Sequence, residues 1–108
     1  MSFTIYPAID LRGGMVVRLK EGDPARMTSY REEPAQTAYH WLSLRAKWLH
    51  VVNLDGAFGD NDSANQLALR AILKAANEFG VKVQFGGGLR SVDDIQHALD
   101  LGLTRVVL

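Results

Sequence analysis

The chain has 108 residues, of which 47% are hydrophobic and 22% are charged, and this composition fits one small globular domain. Lysine plus arginine balances aspartate plus glutamate at 12 each, so no basic field points to nucleic acid or to an anionic membrane as a partner. Cysteine is absent, which excludes disulfides, zinc–cysteine sites and thiol catalysis.

The N-terminal region reads as a strand with a short antiparallel extension. Residues 3–10 are apolar and β-prone, and their alternation places Asp10 on the face opposite Ile9. A glycine turn then leads into a second β-prone run at 15–19. Residues 20–33 are polar, and we expect them to form a functional loop or lid, because so long a loop is otherwise unusual in a compact domain.

Helices and strands alternate in the rest of the chain. Pro34 predicts a helix over 34–47, since proline is favoured in a first helical turn. Residues 48–54 are almost uniformly apolar, which predicts a strand buried on both faces. A loop rich in glycine and aspartate is expected at 55–62.

Two capping boxes mark the starts of two further helices. Ser63 pairs with Gln66, and Ser91 pairs with Asp94. Glycine follows each apolar helical pattern and predicts its end. The remaining strands are predicted at 81–85 and 104–108.

This order predicts an α/β fold of parallel strands joined by right-handed crossovers. Either an open doubly wound sheet or part of a βα barrel would fit it. No Gly-x-Gly-x-x-Gly fingerprint follows the first strand, so a Rossmann fold is not indicated.

Functional sites of parallel α/β folds form at the carboxyl ends of strands. At one such end lies the glycine-rich segment 86–91, called here the glycine loop. Its unshielded N–H groups, with the helix start at Ser91, would suit a phosphate, and Arg90 could add a charged contact. A flexible turn that binds nothing is the alternative.

Other strand ends carry charged or polar side chains. Asp10 could abstract a proton or orient a sugar hydroxyl, or it could only close an Asx-turn. Asn53 and Asp55 share one face and could line the same site, although Asp55-Gly56 also reads as a plain turn. Arg18 and Lys20 are candidate counter-ions for a phosphate, or solvated charges on a hairpin edge.

The three histidines show no metal-ligand spacing. His40 and His97 lie on predicted helices, and His50 lies inside a strand. We interpret all three as structural and expect no metal site. The first residues show no signal peptide and no membrane span, and a cytoplasmic location is expected.

Four stretches in this order closely resemble the histidine-biosynthesis isomerases that act on phosphoribosylformimino-aminoimidazole carboxamide ribotide. They are Pro-Ala-Ile-Asp-Leu-Arg-Gly-Gly at 7–14, Val-Val-Arg-Leu at 16–19, His-Val-Val-Asn-Leu-Asp-Gly-Ala at 50–57, and Gly-Gly-Gly-Leu-Arg-Ser at 86–91. The resemblance covers essentially the whole chain, and the combination is far more specific than any single motif.

The resemblance implies a (βα)8 barrel of about twice this length, in which residues 1–108 are the N-terminal half. It implies an Amadori rearrangement of an aminoaldose to an aminoketose without a cofactor. Asp10 matches the base that moves the C2 proton. Gly87, Gly88 and Ser91 match a phosphate site, and residues 20–33 match a loop that closes over substrate.

The resemblance also implies what else the site requires. The family's general acid and second phosphate site lie in the second half, and the family usually has aspartate where this chain has Asn53. The expected partners are a phosphorylated sugar and either a complementary C-terminal half or a second copy of the chain, without nucleic acid or membrane.

Three other functions fit the same residues. The sister cyclase of the pathway shares the fold and the first aspartate, but it places a catalytic lysine where Arg18 stands, and arginine is a poor proton shuttle. A non-catalytic half-barrel that only binds phosphate is the alternative from a different class. An isomerase that also serves tryptophan synthesis is the third, and the residues that would decide it lie partly in the second half.

Overall fold

The computed structural model describes the backbone of residues 6–20 and 23–108 and the side chains of residues 6–17 and 32–108. Strands alternate with helices along most of this length. The elements are β1 (Ala8–Arg12), β2 (Met15–Lys20), β3 (Asp23–Glu32), α1 (Pro34–Ser43), β4 (Trp48–Asn53), α2 (Leu54–Ala57), α3 (Ser63–Glu78), β5 (Lys82–Gly86), α4 (Val92–Asp100) and β6 (Arg105–Val107).

The strands form one sheet in the order β3-β2-β1-β4-β5-β6. The pairs β1–β4, β4–β5 and β5–β6 are parallel, whereas β1–β2 and β2–β3 are antiparallel. The parallel strands therefore follow one another in chain order, with no reversal of the kind that defines a doubly wound sheet. The predicted parallel βα units are confirmed, and the sequential order is that of a barrel rather than an open doubly wound sheet.

The helices cover one face of this sheet. Ile9, Leu49, Val51 and Phe85 are at most 2% exposed and pack in one core with apolar residues of α1, α3 and α4. The alternate residues of β1, β4, β5 and β6 lie on the other face, called here the open face, and all except the buried Gly86 are exposed or half-buried. The prediction that 48–54 is buried on both faces is therefore wrong, because helices cover only one side of β4.

The expected loop at 20–33 is replaced by a strand. β3 spans most of this segment and pairs antiparallel with β2, with Val16 opposite Glu32 and Val17 opposite Arg31. As a result β1 has a neighbour on each side, β2 and β4, and it is not an edge strand. The backbone of this segment thus extends the sheet instead of forming a loop.

Helix boundaries follow from capping contacts. The Glu33 carboxylate accepts hydrogen bonds from the N–H groups of Ala35 and Gln36, at 3.1 and 2.8 Å, and so begins α1. The chain turns at Arg45, which has a φ of 65°, and α1 therefore ends before the predicted residue 47.

One predicted capping box is present and the other is not. The Ser91 hydroxyl accepts from the Asp94 N–H at 3.0 Å, as expected. The N-cap of α3 is Asp62 rather than Ser63, whose hydroxyl donates to Asn61 Oδ1 at 2.7 Å. None of the helices in the described part of the chain is both long and apolar enough to span a membrane.

Candidate active site at the carboxyl ends of the parallel strands

Asp10 lies on the open face near the end of β1. Its neighbours in the sheet are Val17 on β2 and Val52 on β4. Burial raises the pKa of the Asp10 carboxyl above its usual value, and the charge of His50 partly offsets this. A carboxyl whose pKa is shifted toward neutrality is a better general base than an exposed one.

A buried amide, Asn65 on α3, joins the strand ends beside Asp10. Its Oδ1 accepts from the Gly14 N–H at 2.7 Å. Its Nδ2 donates to Leu11 O, Asn53 Oδ1 and Asp55 Oδ2, each at 2.9 Å. Asn65 is 1% exposed, so these bonds are shielded from water. It therefore fixes the β1–β2 turn against the end of β4.

Sequence reasoning missed Asn65, although the sequence carried a signal. Asn65 precedes Ala68, Leu69 and Ile72 at helical spacing, on the apolar face of α3. A polar side chain on the buried, otherwise apolar face of a helix needs buried hydrogen-bond partners. That conflict would have marked Asn65 as a network residue.

The Asp55 carboxylate is occupied within the protein. Its Oδ2 accepts from the Gly13 N–H at 2.7 Å, and its Oδ1 lies 3.9 Å from Arg12 Nε. The residue is 6% exposed. The geometry gives Asp55 a positioning role in the β1–β2 turn, and its role as a substrate ligand stays a prediction.

Asn53 differs from the aspartate that the family resemblance implies, and its contacts give the reason. Asn53 Nδ2 donates to Asp62 Oδ2 at 2.6 Å, while Asn53 Oδ1 accepts from the Gly56 N–H at 3.0 Å. An ionised aspartate could not donate, and it would face the Asp62 carboxylate. The amide is therefore the better partner in this chain.

The glycine loop packs tightly on the chain that follows β4. Gly87 and Gly88 have φ of 103° and 79°, in the region that favours glycine. A Cβ on Gly87 would overlap the backbone oxygen of Asn53, and a Cβ on Gly88 would lie 2.9 Å from Gly56 Cα. These glycines are needed for close approach, so the loop is a tightly packed turn rather than a flexible one.

Gly87→Ala is expected to destabilise the chain more than Gly102→Ala. The two glycines have nearly equal φ, 103° and 105°, but a Cβ on Gly102 would meet nothing within 4 Å. The backbone strain, about 1–3 kcal/mol, is therefore common to both. We expect Gly87→Ala to cost about 2 kcal/mol more in urea unfolding, because the overlap adds to the strain. Equal free energies of unfolding would contradict the packing described here.

Backbone N–H groups remain available in this loop. Within the described residues, the N–H groups of Gly88 and Leu89 donate to no other residue. The start of α4 is more occupied, because the Asp94 carboxylate accepts from the Arg90 N–H at 2.9 Å. That bond lowers the pKa of Asp94. The N–H groups of Gly88 and Leu89 are therefore available to an anion.

Of the cations predicted for the phosphate site, the described side chains include Arg90 only. The Arg90 guanidinium donates to Gly56 O at 3.0 Å and so braces the loop against α2. The Arg18 side chain lies outside the described residues. Phosphate contacts by Arg90, Arg18, Ser91 and the loop glycines all stay predictions.

A cavity of about 370 Å³ lies on the helix-covered side of the loop. Its walls include Gln66, Arg90, Asp94 and His97, from the glycine loop and helices α3 and α4. Asp10 is not among them, so this cavity is separate from the open face. Among the described side chains, no three His, Asp or Glu residues are grouped so that they could hold a metal ion.

The fold and site define a class of protein. Sequential parallel βα units with helices on one face form part of a βα barrel, and the polar strand ends gather at its carboxyl edge. A family model described as "Histidine biosynthesis protein" matches residues 4–108, and the chain belongs to that family.

Curated relatives carry the name 1-(5-phosphoribosyl)-5-((5-phosphoribosylamino)methylideneamino)imidazole-4-carboxamide isomerase. A relative from Rhizorhabdus wittichii is 48% identical over 108 residues, 100% of this chain and 43% of its own length. A relative from Alkaliphilus metalliredigens is 46% identical over 104 residues, 96% of this chain and 42% of its own length. One from Geobacillus thermodenitrificans is 43% identical over 107 residues, with coverage of 99% and 42%. The chain thus spans well under half the length of these relatives.

Proposed function

We propose that this chain supplies the N-terminal half of a (βα)8 isomerase that converts a bis-phosphorylated aminoaldose ribotide to the aminoketose in histidine biosynthesis. One observation carries the proposal: Asp10 and the glycine loop lie at the same carboxyl edge, with only β4 between their strands. Two strand spacings correspond to about 10 Å, a distance that one phosphorylated sugar can bridge. The names of the relatives favour this isomerase over the sister cyclase.

In the proposed reaction, Asp10 takes the C2 proton of the ring-opened substrate. The electron pair of that C–H bond forms a C1=C2 double bond, and the iminium nitrogen recovers its lone pair. The resulting enolamine then gains a proton at C1 and loses its hydroxyl proton to give the ketone. One proton leaves and one arrives at carbon, so the step needs no oxidant, reductant or cofactor.

The opening of the sugar ring needs an acid as well. Asp10 is the only carboxylate that the described strand residues place on the open face. We therefore propose that the general acid and the second phosphate site come from the C-terminal half of the barrel. The 108 residues would bind one phosphate and present the base.

Phosphate titration tests the phosphate site that we propose at the glycine loop of this chain. Adding inorganic phosphate to the 15N-labelled chain should shift the amide signals of Gly88 and Leu89 saturably. Gly102 is the internal control, because its N–H is already bonded to Leu99 O at 3.0 Å in an exposed turn. Shifts at Gly102 equal to those at Gly88 would show non-specific binding and contradict the phosphate site.

We also propose that the open face is covered in the working protein by the C-terminal half, or in its absence by a second copy of the chain. β6 has a strand neighbour on one side only within the described sheet, and Val107 is 41% exposed. Unpaired strand edges and uncovered sheet faces favour association. Light scattering at micromolar concentration should show more than one copy per particle, and a monodisperse species of 11.9 kDa would contradict this.

A further inference from the structure

A row of polar side chains crosses the open face from β6 to β4. Arg105 Nε donates to Gln84 Oε1 at 2.6 Å, and Gln84 Nε2 lies 2.7 Å from His50 Nδ1. The register explains the row, because His50 pairs with Gln84 and Gln84 pairs with Arg105. The three side chains are called here the Arg–Gln–His ladder.

The ladder determines which nitrogen of His50 carries the proton. Arginine can only donate, so the side-chain oxygen of Gln84 must face Arg105. The Gln84 amide nitrogen then faces His50 and can only donate. His50 Nδ1 must therefore accept, and in the neutral ring the proton resides on Nε2.

The free N–H of His50 is directed away from β5. Nδ1 and Nε2 are separated by Cε1 and point in widely different directions, and Nδ1 faces Gln84 on β5. On the other side of β4 lies β1, where Ala8 pairs with His50 and Asp10 is the next residue on the same face. The electrostatic effect of His50 on the Asp10 carboxyl agrees with this proximity.

The far end of the ladder is anchored. The Arg105 guanidinium lies 4.4 Å from the ring centroid of Trp48, and Lys82 Nζ lies 5.5 Å from the same ring. Stacking on Trp48 limits the rotation of Arg105, so the donor to Gln84 keeps its direction. A fixed donor at one end is what holds the Gln84 amide in one orientation.

We propose that His50 is a positioning residue for Asp10: the Arg–Gln–His ladder holds the ring with its Nε2–H on the β1 side, from where it can donate to the Asp10 carboxylate. One carboxylate oxygen is then held by His50, and the other is left to take the substrate proton. The catalytic meaning of this contact rests on the proposed isomerase function.

The tautomer can be read by long-range 1H–15N spectra of the histidine-labelled 108-residue chain. We expect His50 to be protonated at Nε2 and bare at Nδ1. Arg105→Leu should convert His50 to a tautomer mixture, although Arg105 does not touch the ring, because the Gln84 amide is then free to turn. Arg70→Leu, an exposed substitution on α3, should leave it unchanged. The exposed His40 and His97 serve as internal references.

The contact with Asp10 is tested by the 13C titration of its carboxyl. Among the described side chains, the other cationic groups on this face are Arg12, Arg105 and Lys82, which are unchanged in His50 variants. His50→Leu should raise the pKa of Asp10, because a donor to the carboxylate is lost. His50→Gln should restore much of the difference, since glutamine can accept from Gln84 and donate to Asp10.

Three results would each overturn the proposal: a wild-type ring protonated at Nδ1, a tautomer unchanged in Arg105→Leu, or an Asp10 pKa unchanged in His50→Leu. The wild-type spectrum decides the first point even if a variant does not fold. None of these measurements needs turnover. If any of these results is found, the role of His50 is overturned and the isomerase proposal stands. If the assembled barrel is inactive although the ladder is intact, only the isomerase proposal is overturned.

Discussion

Asp10→Asn should lower turnover by about 10²–10⁴-fold in a barrel that joins this chain to the C-terminal portion of a relative. The amide keeps the size of the carboxyl but cannot take the C2 proton. Substrate affinity should change by only a few-fold, because the proposed phosphate contacts are made elsewhere. The measurement is kcat and KM of the isomerisation, with Asp100→Asn as the control, an exposed residue at the far end of α4.

The pH dependence of stability gives an independent check on Asp10. Burial raises the pKa of this carboxyl in the folded state, so folding favours the protonated form. The protonated carboxyl contributes fully to the free energy of unfolding below the pKa that Asp10 has in the unfolded chain. This contribution is lost as the pH rises through the pKa of the folded state. The free energy of unfolding of the Asp10→Asn chain minus that of the parent should therefore be larger at pH 7 than at pH 3. Turnover within threefold of the parent would rule out the role as base, whatever the stability.

Asn65→Ala should cost about 3–5 kcal/mol in the free energy of unfolding, a large part of the stability of a small domain. The substitution leaves the half-buried Gly14 N–H and the buried Leu11 O and Asp55 Oδ2 without the partner that now binds them. The β1–β2 turn then loses its tie to α3. Urea unfolding, monitored by circular dichroism, measures the loss.

Two further variants separate the network from general effects of helix α3. Asn77→Ala changes an exposed asparagine of the same helix and should cost within about 0.5 kcal/mol. Asn65→Asp keeps the shape but turns a donor toward Leu11 O and Asp55 into an acceptor. It should destabilise at least as much as Asn65→Ala. A cost for Asn65→Ala no larger than that of the Asn77 control would show that the network carries little of the stability.

Much of the fold could be predicted from the sequence because the signals are local. Parallel strands and their connecting helices follow from alternation, helical periodicity and the Ser91 cap. Burial of β4 on both faces was wrongly predicted, since an apolar run cannot reveal that Val52 faces an uncovered side. The β3 strand was missed because its segment is polar, and local β-propensity does not predict its pairing with β2.

The candidate site was predictable only in part. Asp10 and the glycine loop follow from the rule that sites form at strand ends. The internal partners of Asp55 and Arg90 could not be foreseen, because they depend on how the turns pack on one another. The contacts of His50 could not be foreseen either, because Gln84 lies 34 residues from His50 in sequence and Arg105 lies 21 residues from Gln84. Only the sheet register brings them together.

We propose that this chain carries the base and one phosphate site of a barrel whose acid lies in the C-terminal half. The most direct measurement is the isomerisation rate of the chain alone and of its mixture with the separately produced C-terminal portion of the Rhizorhabdus wittichii relative. We expect no turnover from either part alone and measurable turnover from the mixture, which Asp10→Asn abolishes. Substantial turnover by the 108-residue chain alone, or none from a mixture shown by light scattering to associate, would contradict the claim.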